Sequence, residues 1–366
     1  MLDVPAGLDG VAILDALTYI RAIQVMAMLL IGFGFLMVFV RQYGRSAITA
    51  TFLLVSLAIP LYYAKDALGL PVDGSHSLID RLVLSEFAAA SLLIAAGAVL
   101  GRLNMVQYLL LGALFLPFYA LDEWILSLGG LGWLPAGQFV DTGGSILIHA
   151  FGALFGVAAA LSLTRGQEQA IPIESDDTSD RFSLLGSMVL WVFWPSFCAA
   201  LVPVSAIPAT AVNVILALCA STLATYAGSV LLRGKILPAD IANAALAGGV
   251  AIGSTCDRVP PLQAFAIGLA AGLLSTVGYA LVQERLQKAL RLVDTCGVLY
   301  LHGLPGLLGG LATLVGVAGV DGVTQLKGIS IAITIALGSG LLVGKLISLT
   351  GQRSQPYCDG EEFLVE

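Results

Sequence analysis

The chain has 366 residues, of which 58% are hydrophobic and only 11% are charged, with a formal net charge of −7 and a mean hydropathy of +0.94. Soluble proteins carry about 25% charged residues, so this composition excludes a water-soluble globular protein and predicts an all-α polytopic membrane protein in the lipid bilayer. The acidic excess lies mostly in two short polar segments and gives no support for a nucleic-acid partner. The five cysteines show no paired metal-ligand spacing, so neither a metal nor a cofactor is expected.

Eleven apolar runs of membrane-spanning length follow one another with short breaks. We predict helices at about 19–40, 47–66, 80–101, 105–128, 141–164, 182–203, 207–232, 239–256, 261–286, 295–319 and 327–350. Because eleven is an odd number, the two termini are expected on opposite sides of the membrane.

Lys and Arg are divided unevenly between the two sets of loops that these helices define. Twelve of the 17 flank one side: Arg41, Arg45, Arg102, Arg165, Arg181, Arg233, Lys235, Arg285, Lys288, Arg291, Lys345 and Arg353. The remaining five flank the other side: Arg21, Lys65, Arg81, Arg258 and Lys327. Since basic residues favour the cytoplasmic side, the sequence predicts an outside N-terminus and a cytoplasmic C-terminus.

An internal repeat links predicted helices 5 and 10. Segments 141–156 and 294–309 share one layout without a gap: an aspartate at the start, a histidine eight residues later and a glycine at the end. The matched pairs are Asp141 and Asp294, His149 and His302, and Gly156 and Gly309. A histidine inside a membrane helix is expected to be functional, because a polar group there is costly unless it is used.

The repeat is expected to be inverted, because the two helices are five spans apart and therefore cross the membrane in opposite directions. Each histidine then lies roughly 12 Å inward from its own side, at 1.5 Å per residue. Inverted repeats with polar groups near the midplane are typical of transport proteins. We divide a single transmembrane domain, 1–350, into repeat 1 (about 19–165), a cytoplasmic linker (166–181), repeat 2 (about 182–325) and helix 11 (about 327–350), followed by a cytoplasmic tail (351–366).

Five segments resemble the Rhesus branch of the ammonium transporter/Rhesus family, in its bacterial form. They read IGFGFLM at 31–37, SEFAAAS at 85–91, DTGGSILIHAFGA at 141–153, WVFWPSF at 191–197 and NAALAGGVAIG at 243–253. The resemblance covers helices 1 to 10 in order. It implies a homotrimer in the cell membrane, with eleven core helices and a separate narrow ammonia pore in each protomer.

The resemblance also implies roles for pore residues. His149 corresponds to the first pore histidine, and Phe87 and Phe197 to two phenylalanines that stack across the outer mouth. The second pore histidine is expected at position 299, where this chain has Leu299, while the later His302 is retained. The internal repeat instead pairs His149 with His302, and positions 299 and 302 differ by only about 60° around a helix. We predict that His302 is a packing residue and that His149 stands alone with Leu299 opposite.

Three acidic residues are candidates for the outer vestibule. Asp141 corresponds to an aspartate that supports the vestibule, and it can also cap helix 5 by accepting backbone N–H bonds. Glu123 resembles an acidic residue that attracts cations, although a solvated acid in a short outer loop is an equally natural interpretation. Asp257 matches a further buried aspartate in helix 8.

The function implied by the resemblance is a Rhesus-like channel for neutral ammonia. A lone His149 has no partner through which to relay a proton, so we expect poor movement of net charge. Two alternatives remain open: a channel for another neutral gas such as carbon dioxide, and a non-conducting structural or sensing protein. An enzyme is not expected, because the sequence has no nucleophile–base pair, metal cluster or phosphate-binding loop.

Overall fold

The computed structural model describes residues 10–71, 77–164 and 173–364. These residues form helices and no β-strand, which confirms the predicted all-α class. Eleven long helical segments follow the predicted order: α1 Gly10–Ala27 with a continuation to Phe39, α2 Gly44–Tyr63, α3 Leu78–Ala98, α4 Met105–Leu128, α5 Ser145–Leu163, α6 Asp177–Cys198, α7 Ile207–Arg233, α8 at 238–255, α9 Pro261–Leu290, α10 Leu299–Gly316 and α11 Gly322–Ser348. A short helix, α12 Asp359–Glu362, lies in the tail.

Nine of these segments are long and apolar enough to cross a membrane, within the ranges that the structure describes. The other two are α3 and α8. Helix α3 is 21 residues long but carries Asp80, Arg81 and Glu86. Helix α8 consists of four consecutive pieces of six, three, six and three residues. Both segments lie where a membrane helix is predicted.

Several helices begin at a different residue from the one predicted. Helix α1 starts at Gly10 rather than near 19. Helix α6 starts at Asp177 rather than 182, because the Asp176 carboxylate caps it by accepting from the backbone N–H groups of Ser179 and Thr178. The bond from Ser179 is the main reason that the pKa of Asp176 lies below its ordinary value.

Each half of the molecule contains a close helix crossing at an equivalent position. Helix α5 crosses α3 where Gly156 faces the Ala95 carbonyl, and α10 crosses α8 where Gly309 faces the Ala251 carbonyl. At both places a Cβ atom would collide with the facing backbone, so only glycine permits this approach.

Backbone hydrogen bonds near these crossings are matched in the same way. Gly143 N–H donates to the Gly253 carbonyl at 2.8 Å, and Cys296 N–H donates to the Gly97 carbonyl at 3.2 Å. The equivalent contacts are those expected of two copies of one unit, although the repeat boundaries themselves stay a prediction.

The predicted linker and tail contact the same end of the molecule. Linker positions 166–172 lie outside the described residues, but Glu174 accepts from the Arg41 side chain at 2.9 Å. We call residues 351–364 the tail strap. Its Asp359 carboxylate accepts from the backbone N–H groups of Arg45 and Ser46 at 3.0 and 2.9 Å, at the start of α2. The strap therefore supplies a cap that α2 lacks in its own sequence.

Candidate functional site

Two aspartates start the repeated helices in the same way. The Asp141 carboxylate accepts from the backbone N–H groups of Ile146 and Leu147, the latter at 2.8 Å. The Asp294 carboxylate accepts from Val298 and Leu299 N–H at 3.0 and 3.1 Å. These bonds satisfy N–H groups that have no partner inside the helix. The predicted capping role of Asp141 is thus present, and its repeat partner Asp294 has the same role.

The turns between each aspartate and its helix depend on glycine. Gly144 and Gly297 adopt left-handed backbone conformations, with φ of 72° and 64°. Helices α5 and α10 therefore begin later than predicted, and each opens with a π-helical turn, Ser145–Ala150 and Leu299–Gly303. His149 and His302 lie inside these two turns.

The structure brings the two histidines together. The Nδ1 atoms of His149 and His302 are 3.2 Å apart, and the ring centroids are 5.3 Å apart with only 6° between the ring planes. Their side chains are buried, with 3% and 2% of their surface exposed. At this distance one Nδ1 donates a hydrogen bond and the other accepts it.

The prediction that His302 is a packing residue, with Leu299 opposite His149, is therefore wrong. Leu299 is only partly buried and its side chain lies against Gly303 of the same helix. The reason is the spacing: each histidine lies eight residues after an aspartate that fixes the helix start in the same way. The internal repeat pairs His149 with His302, which is the observed partner. Position 299, where the family resemblance led us to expect the second histidine, is not the partner.

Aromatic rings continue from both histidines. The rings of Phe87 and Phe197 are 4.6 Å apart, and Phe197 lies 5.9 Å from the His149 ring. Trp194 stacks on His149 at 5.6 Å. On the other side, Phe33 stacks on His302 at 6.1 Å. We call these six rings the ring column: Phe87, Phe197, Trp194, His149, His302 and Phe33.

A small apolar cavity adjoins the His302 end of the ring column. It measures about 20 Å³, which is room for one water-sized molecule. Its lining includes Phe33, Leu93, Gly97, Asn243, Cys296 and His302. The His302 ring therefore borders space for a small molecule, whereas the Nε2 atom of His149 is buried without a partner among the described residues.

The three predicted vestibule acids separate into two groups. Asp141 lines a recess of about 240 Å³ together with Thr142 and Arg258. Asp257 accepts from the Thr142 hydroxyl at 2.8 Å and lies 3.6 Å from Arg258. It therefore neighbours the same recess, although it follows α8 instead of lying within it.

Glu123 is not the solvated loop acid that the sequence allowed as an alternative, and its role in attracting cations to a vestibule stays a prediction. It lies inside α4 with 3% exposure. Its carboxylate accepts from the Tyr62 hydroxyl at 2.8 Å and from the Lys65 ammonium group at 3.3 Å. A carboxylate that is already paired with a buried lysine contributes little field to attract another cation.

The chain closely resembles known membrane proteins over nearly its whole length. The sequence profile of the Ammonium Transporter Family matches residues 14–355. The ammonium transporter Rh type A of Bos taurus is 36% identical over 358 residues, which covers 94% of this chain and 82% of that protein. The solved structure of Nitrosomonas europaea Rh50, from the Rhesus family of channels, matches with a TM-score of 0.92 and 50% identity, covering 98% and 93% of the two chains. The chain belongs to the ammonium transporter family.

The two Rh relatives confirm the Rhesus-like branch that the sequence predicts. They do not confirm the prediction that the second pore histidine is replaced, and in the structure His302 is the partner of His149. A sensor Amt protein shares the fold of this family member with a TM-score of 0.78 at 19% identity. The multi-pass membrane character predicted from composition is consistent with this family and with the nine apolar helices in the described ranges.

Sequence reasoning assigned no role to Phe33 of this Rhesus-like protein, and for Trp194 it favoured packing over lining the pore. Trp194 lies three residues before Phe197 on α6, and this spacing places both on one helix face. Phe33 lies within the segment 31–37 that carries the resemblance, and its position beside His302 is visible only in the structure.

Proposed function

We propose that this protein is a Rhesus-like channel that passes neutral ammonia along the ring column of each protomer. The observation that carries the proposal is the buried His149–His302 pair, enclosed by four aromatic rings. In this proposal the two histidines and the phenylalanine pair, Phe87 and Phe197, line the pore. Asp141 supports it by fixing the start of α5.

The chemistry of the ring column favours a neutral permeant. An ion near the centre of a bilayer costs several kcal/mol unless it is paired, and the aromatic side chains offer no counter-charge. Ammonia is small and carries both a lone pair and N–H groups. It can therefore exchange hydrogen bonds with imidazole nitrogens inside an otherwise apolar passage. The earlier expectation of poor charge movement rested on a lone His149, and the observed pair removes that reason.

Carbon dioxide remains the second candidate among neutral gases. It needs no hydrogen-bond donor along its path, so a paired histidine site would be unnecessary for it. A non-conducting structural or sensing role would not require the buried polar pair to be kept within a continuous set of rings. The paired imidazoles therefore support ammonia over both alternatives.

The assembly and placement of the protein form part of the proposal. We infer a homotrimer in the cell membrane, with the N-terminus outside and the tail strap in the cytoplasm. The division of Lys and Arg between the loops and the likeness to Rh relatives support this arrangement.

Flux measurements in reconstituted vesicles test the proposed function. Purified protein is incorporated into liposomes that contain a pH dye, and an inward gradient of ammonium chloride is applied. We expect faster internal alkalinisation than in empty liposomes, because ammonia binds a proton after entry. In the same vesicles, a carbon dioxide gradient is expected to acidify the interior no faster than in empty liposomes. Accelerated acidification without accelerated alkalinisation would replace ammonia by carbon dioxide, and no acceleration of either would refute the channel.

A further inference from the structure

Two buried cysteines lie at the ends of α6 and α8, and their side chains interact. Cys198 is the last residue of α6, the helix that carries Phe197, and Cys256 directly follows α8. Both are buried, with 1% and 0% of their surface exposed. The thiol of Cys256 interacts directly with that of Cys198, and both thiols are free. The proposed passage of ammonia makes no use of this pair.

The start of α5 holds the two helix ends together. Gly143 N–H donates to the Gly253 carbonyl at 2.8 Å. A Cβ atom on Gly143 would lie 3.1 Å from the Cys198 sulfur and 3.0 Å from the Gly253 Cα atom. Cys256 follows Gly253 by three residues, and its carbonyl accepts from the Asn213 side chain at 2.9 Å. The end of α8 is therefore fixed by hydrogen bonds, and the Cys198 sulfur packs against the same glycine.

The orientation proposed above places this pair of thiols at the outer side of the membrane. Helix α6 begins at the cytoplasmic linker and therefore ends outside, and α8, two spans later, runs in the same direction. Disulfides form and persist outside the cytoplasm. They join only cysteines whose side chains already approach each other. Cys198 and Cys256 meet both conditions.

We propose that Cys198 and Cys256 are an oxidation site whose disulfide holds the aromatic pair closed. The oxidation goes beyond the proposed function, whereas its effect on flux rests on that function. The oxidant is hydrogen peroxide. One sulfur attacks the O–O bond, which gives a sulfenic acid and one water. The second sulfur then displaces the hydroxyl group of the sulfenic acid, which forms the S–S bond and releases a second water. Two thiols and one peroxide thus give one disulfide and two waters.

The disulfide acts on the aromatic pair through Phe197. The rings of Phe87 and Phe197 are 4.6 Å apart, a distance at which aromatic rings are in contact. Ammonia therefore passes only when one of these rings moves. Phe197 is bonded directly to Cys198, so a covalent link from Cys198 to α8 restrains the backbone that carries the ring. Since the thiols interact while the rings are in contact, the disulfide stabilises the closed arrangement.

Mass spectrometry tests the oxidation site without reference to transport. Purified protein is treated with hydrogen peroxide, unfolded in the presence of an alkylating reagent and digested with a protease. We expect two peptides that are joined through Cys198 and Cys256, and a reductant added before alkylation should separate them. The joined peptides should be absent from Cys256→Ser. Peroxide-treated wild-type protein without the joined peptides overturns the inference.

Flux in the vesicle assay tests the closure. After treatment with peroxide, the wild-type protein is expected to lose most of its accelerated ammonia flux and to regain it with a reductant. Cys256→Ser should keep its flux under the same treatment. Cys219→Ser is the matched control, because Cys219 is a partly exposed thiol on α7, and it should respond like the wild type. An unchanged flux in wild-type protein that contains the joined peptides overturns the closure, and so does an equal loss in Cys256→Ser.

The two measurements separate this inference from the proposed function. A reduced wild-type protein that moves no ammonia refutes the proposed function, and the joined peptides still decide the oxidation site. If Cys256→Ser does not fold, Cys198→Ala takes its place in both measurements. A loss of flux after peroxide in Cys198→Ala that equals the loss in the wild type then overturns the closure.

Discussion

The histidine pair depends on a single hydrogen bond between two like atoms. The Nδ1 atoms of His149 and His302 lie 3.2 Å apart in a region closed by aromatic side chains. Removing either ring leaves the other nitrogen buried without its partner, which costs about 1–3 kcal/mol. It also removes half of the polar surface that ammonia would meet. The two rings are therefore expected to act as a unit.

This unit predicts different consequences for two neighbouring residues of α10. His302→Leu is expected to slow ammonia entry by about tenfold or more, because one buried hydrogen bond along the path is lost. Leu299→Ala is expected to leave the rate close to that of the wild type, because the Leu299 side chain lies against Gly303 and outside the ring column. Stopped-flow alkalinisation of vesicles measures both. If Leu299→Ala slowed ammonia entry more than His302→Leu did, Leu299 and not His302 would be the functional partner of His149.

Short motifs and the internal repeat predicted most residues of the ring column, whereas a contact between distant parts of the chain could not be predicted. Phe87, Phe197, His149 and Asp141 were found from short motifs, and the structure brings the first three into one set of rings. The partner of His149 was also visible, as an eight-residue spacing repeated after Asp294. The partner of Glu123 could not be predicted, because Lys65 follows the end of α2 and lies 58 positions from Glu123 in the chain. Neither composition nor helical periodicity reports such a contact.

At the scale of helices, the crossings through glycine determine how closely α5 approaches α3 in one repeat and how closely α10 approaches α8 in the other. Gly309 faces the Ala251 carbonyl with no space for a Cβ atom. Gly309→Ala is therefore expected to lower the thermal midpoint in detergent, since overpacking costs about 1–3 kcal/mol. Gly338→Ala on α11 is the control, because a Cβ there meets no atom within 4 Å. If Gly309→Ala and Gly338→Ala lowered the thermal midpoint equally, the close contact at the α8–α10 crossing would not be the cause of the lower midpoint.

The tail strap joins elements that are far apart in sequence. Its Asp359 carboxylate caps α2, while its Glu362 carboxylate accepts from Met105 N–H at the start of α4 at 3.3 Å. Tyr357 N–H donates to the Gly101 carbonyl at 2.9 Å. The strap thus fixes the ends of α2 and α4 together at one face.

Loss of the Asp359 cap is expected to weaken this attachment. Asp359→Ala should destabilise the protein by about 1 kcal/mol, the usual cost of removing a helix cap. It should also increase cleavage of the strap by a protease added to detergent-solubilised protein. Gly360→Ala, next to it on α12 and exposed, is the control and should be cleaved like the wild type. Equal protection of Asp359→Ala and the wild type would show that the cap does not hold the strap.

For the whole molecule, the two halves and the basic loops predict one orientation in the membrane. Cys358 lies on the tail strap, at the side that carries most of the Lys and Arg. We expect a membrane-impermeant thiol reagent to label it in inside-out vesicles and not in right-side-out vesicles. Cys198 and Cys256 are buried, while Cys219 and Cys296 are partly exposed, so the test is made in a protein that carries Cys219→Ser and Cys296→Ser. In that background Cys358→Ser should abolish the labelling. Labelling from the opposite side would invert the topology.

The contact between two identical atoms also bears on the direction of transport. A proton placed between the Nδ1 atoms of His149 and His302 has the same kind of atom on each side. When one ring donates, its own Nε2 is free to accept, and the opposite holds for the other ring. The shared proton alone cannot exchange these two arrangements, since its transfer would leave an imidazolate beside an imidazolium; one ring must also lose an Nε2 proton and the other must gain one. When both moves are complete, the pair is neutral again and its chemistry is unchanged. Such a centre has no intrinsic polarity, so we expect it not to rectify. Equal and opposite ammonia gradients should then drive equal inward and outward fluxes.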